Sequence, residues 1–141
     1  MSDQIFIDTA FVLALINARD KYHAQAIQLA EQYEAHPLIV TDAVLLEIGN
    51  ALARSHKPQA VEVIERFLAA EEVEVVHLSP TLFRKAFSMY RKYQDKEWGL
   101  VDCVSFVVMH EFEIRQALTF DQHFTQAGFG ALMQVTNSRQ E

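Results

Sequence analysis

Short apolar runs alternate along this chain with longer segments in which apolar residues recur at a helical period, and this alternation restricts the fold most. The short runs predict strands at 4–7, 38–40, 73–77 and 117–120. The longer segments predict helices at 10–17, 22–34, 43–54, 59–70 and 80–93. Strands that alternate with helices are typical of an α/β fold whose mainly parallel sheet is flanked by helices.

The segment 100–112 is ambiguous, because its valines favour a strand while its length exceeds that of a usual strand. Two polar residues within it, Asp102 and Ser105, are three positions apart, which is a helical spacing. We therefore predict a buried helix here. A last strand, at the edge of the sheet, is predicted at 132–135.

Length and composition indicate one globular domain over residues 1–141. The 12 Lys and Arg against 19 Asp and Glu give a net charge of −7, which argues against coating nucleic acid by bulk charge. A local basic patch or bound metal ions remain open as ways to reach nucleic acid. The single cysteine excludes an intramolecular disulfide and a cysteine-based zinc knuckle.

Nothing in the sequence predicts a membrane segment or a secretory signal. The N-terminus lacks a basic start, and the longest apolar run, 10–16, is shorter than the roughly 20 residues that span a bilayer. We expect a soluble protein of the cytoplasm.

Several catalytic motifs are absent. The sequence contains no P-loop, no glycine-rich dinucleotide loop after the first strand and no nucleophile elbow. His110-Glu111 begins like a zincin helix, but Ile114 stands where the second histidine would be. The six histidines show no ligand spacing, and His123 is predicted to be structural.

Two acidic residues follow predicted strands directly. Asp8 comes after Ile7, and Asp121 comes after Phe120. In an open parallel sheet the carboxyl ends of the strands face the crevice where ligands bind. Both carboxylates are therefore expected to point into one crevice.

Two further acids interrupt apolar helical segments near their starts, and helices that follow strands begin at the same edge of the sheet. Glu47 lies in the second turn of its helix and Asp102 in the first turn of its own. Taken singly, these acids have structural explanations as helix caps, dipole partners or boundary residues. Taken together they would repel one another, and hard divalent cations with oxygen ligands are the natural counter-charge.

Four sequence segments, in order along the whole chain, resemble the motifs of PIN domains, and most of all the VapC-like toxins of toxin–antitoxin pairs. These segments are Ile5-Phe6-Ile7-Asp8-Thr9, the stretch 44–52 around Glu47, the stretch 100–105 around Asp102, and Leu118-Thr119-Phe120-Asp121-Gln122-His123-Phe124. One motif alone is weak, whereas the four together are specific. Ala10 departs from the pattern, because many VapC proteins have a serine there.

The resemblance implies a three-layer PIN-like fold and hydrolysis of RNA phosphodiester bonds that depends on Mg²⁺ or Mn²⁺. It implies four metal-binding and catalytic acids, which are Asp8, Glu47, Asp102 and Asp121. It assigns supporting polar roles to Thr9, Asn50, Ser105 and Thr119. The partners that it implies are an RNA substrate and a cognate antitoxin.

Basic and aromatic residues cluster in and near the predicted helix 80–93. Arg84, Lys85, Arg91 and Lys92 form two pairs with a spacing of seven residues, which is compatible with a phosphate-contacting stripe or with a solvated helix face. Aromatic side chains, Phe67, Phe83, Phe87 and Tyr90, are expected mainly in the core, with part of them forming a homodimer or antitoxin surface.

Two other classes of function are weighed against a ribonuclease. A non-catalytic PIN-like module that binds RNA or protein ranks lower, since all four acids are present. A response-regulator type of phosphoryl-transfer domain requires an acidic pair at the first strand and a lysine after a late strand, and the sequence has neither.

Overall fold

The computed structural model describes residues 2–133. Five strands lie at Ile5–Ile7 (β1), Leu38–Thr41 (β2), Val73–Val76 (β3), Gln116–Leu118 (β4) and Gly130–Ala131 (β5). Seven helices of this part of the chain lie at Thr9–Ile16 (α1), His23–Gln32 (α2), Asp42–Ala51 (α3), Lys57–Ala69 (α4), Pro80–Lys92 (α5), Leu100–Glu111 (α6) and Gln122–Gln126 (α7).

The strands form one sheet in the order β3-β2-β1-β4-β5, and every neighbouring pair is parallel. The chain builds outward from β1 through β2 to β3, and then crosses to the other side of β1 for β4 and β5. The order therefore reverses between β1 and β4, where Phe6 pairs with Ala117 and Ile7 pairs with Leu118. A reversal of this kind opens a crevice at the carboxyl ends of the two strands, which is where α/β proteins bind ligands.

Local sequence determines where the helices begin. The hydroxyl of Thr41 accepts a hydrogen bond of 3.1 Å from the backbone N–H of Val44 and so caps α3. Ser79 caps α5 in the same way through Leu82, and Pro80 occupies the first turn, where its missing N–H costs nothing. These caps start the two helices at the carboxyl end of the sheet.

The core lies between the sheet and the helices and is rich in aromatic rings. Phe6 of β1, Phe106 of α6 and Phe124 of α7 are fully buried. The rings of Phe106 and Phe124 meet edge to face with centroids 5.0 Å apart, an arrangement that the ring quadrupoles favour. This contact joins α6 to α7, and the contact between the rings of Phe124 and Phe6, with centroids 6.3 Å apart, joins α7 to β1.

The fold class agrees with the prediction, and so does the helix in the ambiguous segment. Residues 103–109 of α6 are all buried, which explains why their β-branched composition does not produce a strand. The last strand is a correction: β5 lies at Gly130–Ala131, while Leu132 and Met133 are helical and 134–135 fall outside the described residues. Helix α7 was not predicted either, because a helix of five residues is too short for its periodicity to be visible.

Within residues 2–133, no helix combines the length and the apolar character needed to cross a membrane.

Candidate active site

Asp8 lies at the carboxyl end of the central strand and carries its carboxylate into a buried position. It occupies the N-cap position of α1, but its side chain makes no capping hydrogen bond. Only 6% of the residue is exposed, and its Oδ2 accepts a hydrogen bond of 2.7 Å from the hydroxyl of Thr119. The same hydroxyl accepts a hydrogen bond of 3.0 Å from the backbone N–H of Asp121. Thr119 therefore joins the ends of β1 and β4 at the point where the strand order reverses.

Asp102 and Asp121 meet at the imidazole of His123. The Nδ1 atom of His123 lies 3.2 Å from Oδ2 of Asp102 and 3.4 Å from Oδ1 of Asp121. One ligand atom from each of the three side chains falls within 4.8 Å of the others. The three side chains are one-fifth to one-third exposed, so the cluster is open to solvent on one side.

Helix starts position both acids of this cluster. Oδ2 of Asp102 accepts a hydrogen bond of 3.0 Å from the N–H of Gly99, which precedes α6. Oδ1 of Asp121 accepts one of 2.9 Å from the N–H of His123 and so caps α7. Each carboxylate thus has the structural role expected of a residue at a helix start, and also contributes oxygen atoms to the cluster.

Trp98 connects α6 to α7. It is 8% exposed, packs its ring against Phe106 at 5.1 Å, and donates a hydrogen bond of 3.0 Å from Nε1 to Oε1 of Gln126. The loop that leads to Asp102 is thereby attached to the helix that carries His123. The element that carries Asp102 and the element that carries Asp121 and His123 are thus held together by this hydrogen bond as well as by the packing of α6 on α7.

Glu47 lies at the border of the site. It is exposed in the second turn of α3, and its Oε1 accepts a hydrogen bond of 2.6 Å from the hydroxyl of Thr9. Thr9 follows Asp8 directly, so this bond brings the Glu47 carboxylate to the start of α1. Glu47 is not one of the three residues of the tight cluster.

The structure places Asn50 and Ser105, the other two predicted supporting residues, in different surroundings. Asn50 is exposed on α3, three residues after Glu47 and hence on the same face of that helix. Ser105 is 1% exposed, and its hydroxyl donates to the backbone carbonyl of Val101 within α6 at 3.1 Å. The Ser105 hydroxyl therefore donates its hydrogen bond within α6 and not to one of the site carboxylates.

The four basic residues of the predicted stripe are exposed on α5. Lys85 forms an ion pair with Glu111. Arg91 lies over the ring of Phe87 at 5.6 Å, and Lys92 lies over Tyr93 at 5.4 Å. A groove at this end of α5 is lined by Arg91, Tyr93, Lys96 and Gly99 among others, and it leads to the backbone that holds Asp102.

Burial and mutual repulsion make the carboxylates hold their protons more tightly than usual. Desolvation raises the pKa of Asp8 to about 7, and the negative charges of Asp102 and Asp121 add to this, while the hydrogen bond from Thr119 opposes it. The pKa of Asp102 is also raised, chiefly by desolvation. The cluster therefore carries more negative charge than its buried surroundings favour.

The donor set fits a divalent cation. Carboxylate oxygens from three elements of the fold converge on one partly open crevice, which is the ligand type that Mg²⁺ and Mn²⁺ take. A bound cation would offset the negative charges of Asp102 and Asp121, which add to the effect of burial on the pKa of Asp8. The site therefore offers the ligand types that such a cation takes.

His123 is the residue that sequence reasoning assigned to a structural role and that the structure places in the cluster. A spacing of two residues from Asp121 does not put both side chains on one face of a helix, so the sequence carried no ligand pattern. The one local indication in the sequence was that Asp121 could cap a helix. An Asp at the N-cap accepts a hydrogen bond from the N–H two residues later, here that of His123, so both residues lie at the same helix start. The approach of Asp102 depends on tertiary packing and had no local signal.

Comparison with known proteins places this architecture in a family. The PIN domain model matches residues 5–130. The 23S rRNA-specific endonuclease VapC20 of Mycobacterium tuberculosis, in the sequences of two strains, is 32% identical over 127 residues, which cover 89% of this chain and 95% of VapC20. The chain therefore belongs to the PIN domain family.

Two solved structures resemble this fold. The crystal structure of Mycobacterium tuberculosis VapC20, described as a Sarcin-Ricin loop cleaving toxin, superposes with a TM-score of 0.81 at 30% identity and covers 89% of this chain and 96% of that one. FitAcB from Neisseria gonorrhoeae superposes with a TM-score of 0.63 at 12% identity and covers 91% of this chain and 96% of that one. At that identity the second likeness concerns the fold alone.

We predict that Asp8→Asn stabilises the metal-free protein at pH 8 but not at pH 4. Between the ordinary value of 3.8 and about 7, folded Asp8 keeps a proton that the unfolded chain has released, so stability falls as the pH rises through this window. Asn resembles the protonated acid and removes that loss. The expected gain is on the order of 2 kcal/mol, or about 5 °C in Tm, measured by thermal unfolding in EDTA.

Asp95→Asn is the control for this comparison. Asp95 is exposed and its pKa is lowered, chiefly by the hydrogen bond from Lys96, so its neutralisation brings no gain at pH 8. An Asp8→Asn protein that is no more stable than wild type at pH 8 would show that the Asp8 carboxylate is not under electrostatic strain.

Proposed function

We propose that this protein is a metal-dependent endoribonuclease that acts as the toxin of a toxin–antitoxin pair in the cytoplasm. The observation that carries the proposal is the convergence of Asp8, Asp102 and Asp121 at the reversal point of a parallel sheet. Membership of the PIN domain family and similarity to an endonuclease that cleaves 23S rRNA support it.

We assign different roles to the four acids according to where they lie in the site. We assign direct metal binding to Asp8 and Asp102, and we assign a second ion or the orientation of water to Asp121 and Glu47. When bound by these residues, Mg²⁺ or Mn²⁺ would lower the pKa of a nearby water and would offset negative charge on the phosphate. Thr119 holds Asp8 by a hydrogen bond of 2.7 Å, and Thr9 holds Glu47 by one of 2.6 Å, so both carboxylates are oriented before substrate arrives.

The groove beside Asp102 is the proposed path of the RNA. Arg91 and Lys96 line it, and Lys92 lies next to Arg91 on the exposed surface of α5. Because Gly99 belongs both to this groove and to the hydrogen bond that holds Asp102, a strand that follows the groove reaches the acids. Arginine and lysine suit phosphate contacts, which position RNA without reading its sequence.

We predict that wild-type protein cleaves RNA only with Mg²⁺ or Mn²⁺ present, and that Asp8→Asn and Asp102→Asn each lower the rate at least about a hundredfold while the fold is retained. The measurement is cleavage of RNA by purified protein with and without EDTA. Expression of the wild type in cells is expected to arrest growth, and Asp8→Asn to relieve the arrest.

Asp95→Asn serves as the control, since it removes a carboxylate that is exposed and paired with Lys96. Co-expression of the reading frame directly upstream tests the antitoxin, because relief of growth arrest identifies the partner. Cleavage at the wild-type rate by both site variants would refute the assignment. RNA binding without cleavage by the wild type would favour the non-catalytic module.

We predict that Arg91→Glu with Lys92→Glu weakens RNA binding and reduces its salt dependence. Each phosphate contact on a single strand contributes about 0.7 to the slope of log K against log salt, so two lost contacts reduce the slope by about 1.4. The measurement is RNA affinity at several salt concentrations with Asp102→Asn as background.

Arg54→Glu with Lys57→Glu is the matched control, because it changes the net charge equally at exposed residues beyond the C-terminal end of α3. If the two double variants show equal slopes of log K against log salt, Arg91 and Lys92 do not contact phosphate and form an ordinary solvated helix face. The salt slope of Arg84→Glu with Lys85→Glu tests the other half of the stripe.

We also propose a homodimer through α5. Phe83, Phe87 and Tyr90 are each about 42–43% exposed and lie at helical spacing on one face, with the ring of Phe87 stacked on those of its two neighbours at 6.4 Å. An exposed aromatic stripe on one helix can pair with itself across a two-fold axis. Phe83→Asp, at the end of this stripe that does not line the groove, is expected to halve the molar mass measured by light scattering, whereas a wild-type monomer would contradict the dimer.

A further inference from the structure

We propose that His123 is a nitrogen ligand of the second ion assigned above to Asp121, with Asp102 shared between the two ions, so that this is a mixed oxygen–nitrogen site that prefers Mn²⁺ to Mg²⁺. The inference rests on the proposed metal-dependent function and deepens it. The proposed ligand atoms are Oδ2 of Asp102, Oδ1 of Asp121 and Nδ1 of His123.

Two of the three spacings match adjacent positions in a coordination shell, and all three atoms lie within 4.8 Å of one another. Adjacent ligands of an octahedral ion bound at about 2.1 Å are about 3 Å apart. The Nδ1 atom lies 3.2 Å from the Asp102 oxygen and 3.4 Å from the Asp121 oxygen. Small movements of three side chains that remain partly exposed would close the shell around one cation.

The ring is oriented for this role by the chain itself. Asp121 caps α7 by accepting from the N–H of His123, which places the imidazole beside the carboxylate that caps the helix. Packing of α6 on α7 brings Asp102 to the same nitrogen. The three ligands thus come from two helix starts that are locked together by Trp98 and Gln126.

A nitrogen ligand changes which ion the site prefers. Mg²⁺ is a hard cation that takes oxygen ligands and keeps its waters, whereas first-row transition ions accept imidazole more readily. A site made of carboxylates alone discriminates less between Mg²⁺ and Mn²⁺. The imidazole therefore raises the affinity for Mn²⁺ more than the affinity for Mg²⁺.

His77 provides an internal comparison. Its Nδ1 lies 3.1 Å from Oδ2 of Asp42, as close as His123 lies to Asp102. It faces one carboxylate instead of two, is 74% exposed, and does not belong to a group of three ligand residues among those that the structure describes. A histidine–aspartate contact of this length is thus not in itself a metal site.

The test is electron spin echo envelope modulation of Mn²⁺ bound to the full-length protein, with the metal alone as the probe. We expect modulation from a directly coordinated ¹⁴N in the wild type, and its replacement by a ¹⁵N pattern when the protein contains ¹⁵N-labelled histidine. This comparison needs no variant and therefore does not depend on whether a variant folds.

Two variants assign the signal. His123→Gln is expected to abolish the nitrogen modulation and to lower the Mn²⁺ affinity about tenfold or more, with a change in Mg²⁺ affinity of less than about threefold. His77→Gln is expected to leave the modulation and both affinities unchanged. Affinities are measured from the free Mn²⁺ signal and by competition with Mg²⁺.

The outcomes separate this inference from the proposed function. Bound Mn²⁺ without coordinated nitrogen, or equal losses of Mn²⁺ and Mg²⁺ affinity in His123→Gln, would overturn the ligand role and leave His123 as a residue that positions the carboxylates. RNA cleavage together with that result would leave the nuclease intact. A clear nitrogen signal without RNA cleavage would support His123 as a ligand and contradict the nuclease. Failure to bind Mn²⁺ would contradict both the ligand role and the metal-dependent nuclease.

Discussion

The burial of one carboxylate at the end of the central strand is the constraint around which the site is arranged. Asp8 is only 6% exposed and receives a single side-chain hydrogen bond, from Thr119. Burial of a charge without full compensation is unfavourable, and the neighbouring acids increase the cost. The helix starts that carry Asp102 and Asp121 do not relieve this repulsion, so buried Asp8 keeps its proton to about pH 7 in the metal-free protein.

Much of the fold follows from the sequence because the pattern of apolar residues reflects burial. The segment 100–111 shows where propensity and burial disagree: its valines favour a strand, but its length and the spacing of Asp102 and Ser105 favour the helix that forms. Short elements escape this kind of reasoning. Strand β5 has two residues and α7 has five, and neither has a pattern of its own: β5 packs against β4, and α7 packs against β5 and α6.

The part of the candidate site that lies at the ends of parallel strands could be predicted from the sequence. Asp8 and Asp121 follow strands that prove to be neighbours, so their proximity is a consequence of strand order. Glu47 is different, since a residue in a second helical turn can face several directions, and only the bond from Thr9 shows where it lies. The approach of His123 to Asp102 requires the packing of α6 on α7, which no local motif encodes.

The contact between Trp98 and Gln126 has a practical consequence. Trp98 is the single tryptophan of the chain, and its indole bridges the loop before α6 to α7. The ultraviolet emission of the protein therefore originates at the junction of the two elements that hold the acids. The molecule carries its own optical reporter there, and a rearrangement at this junction would be visible without any added dye.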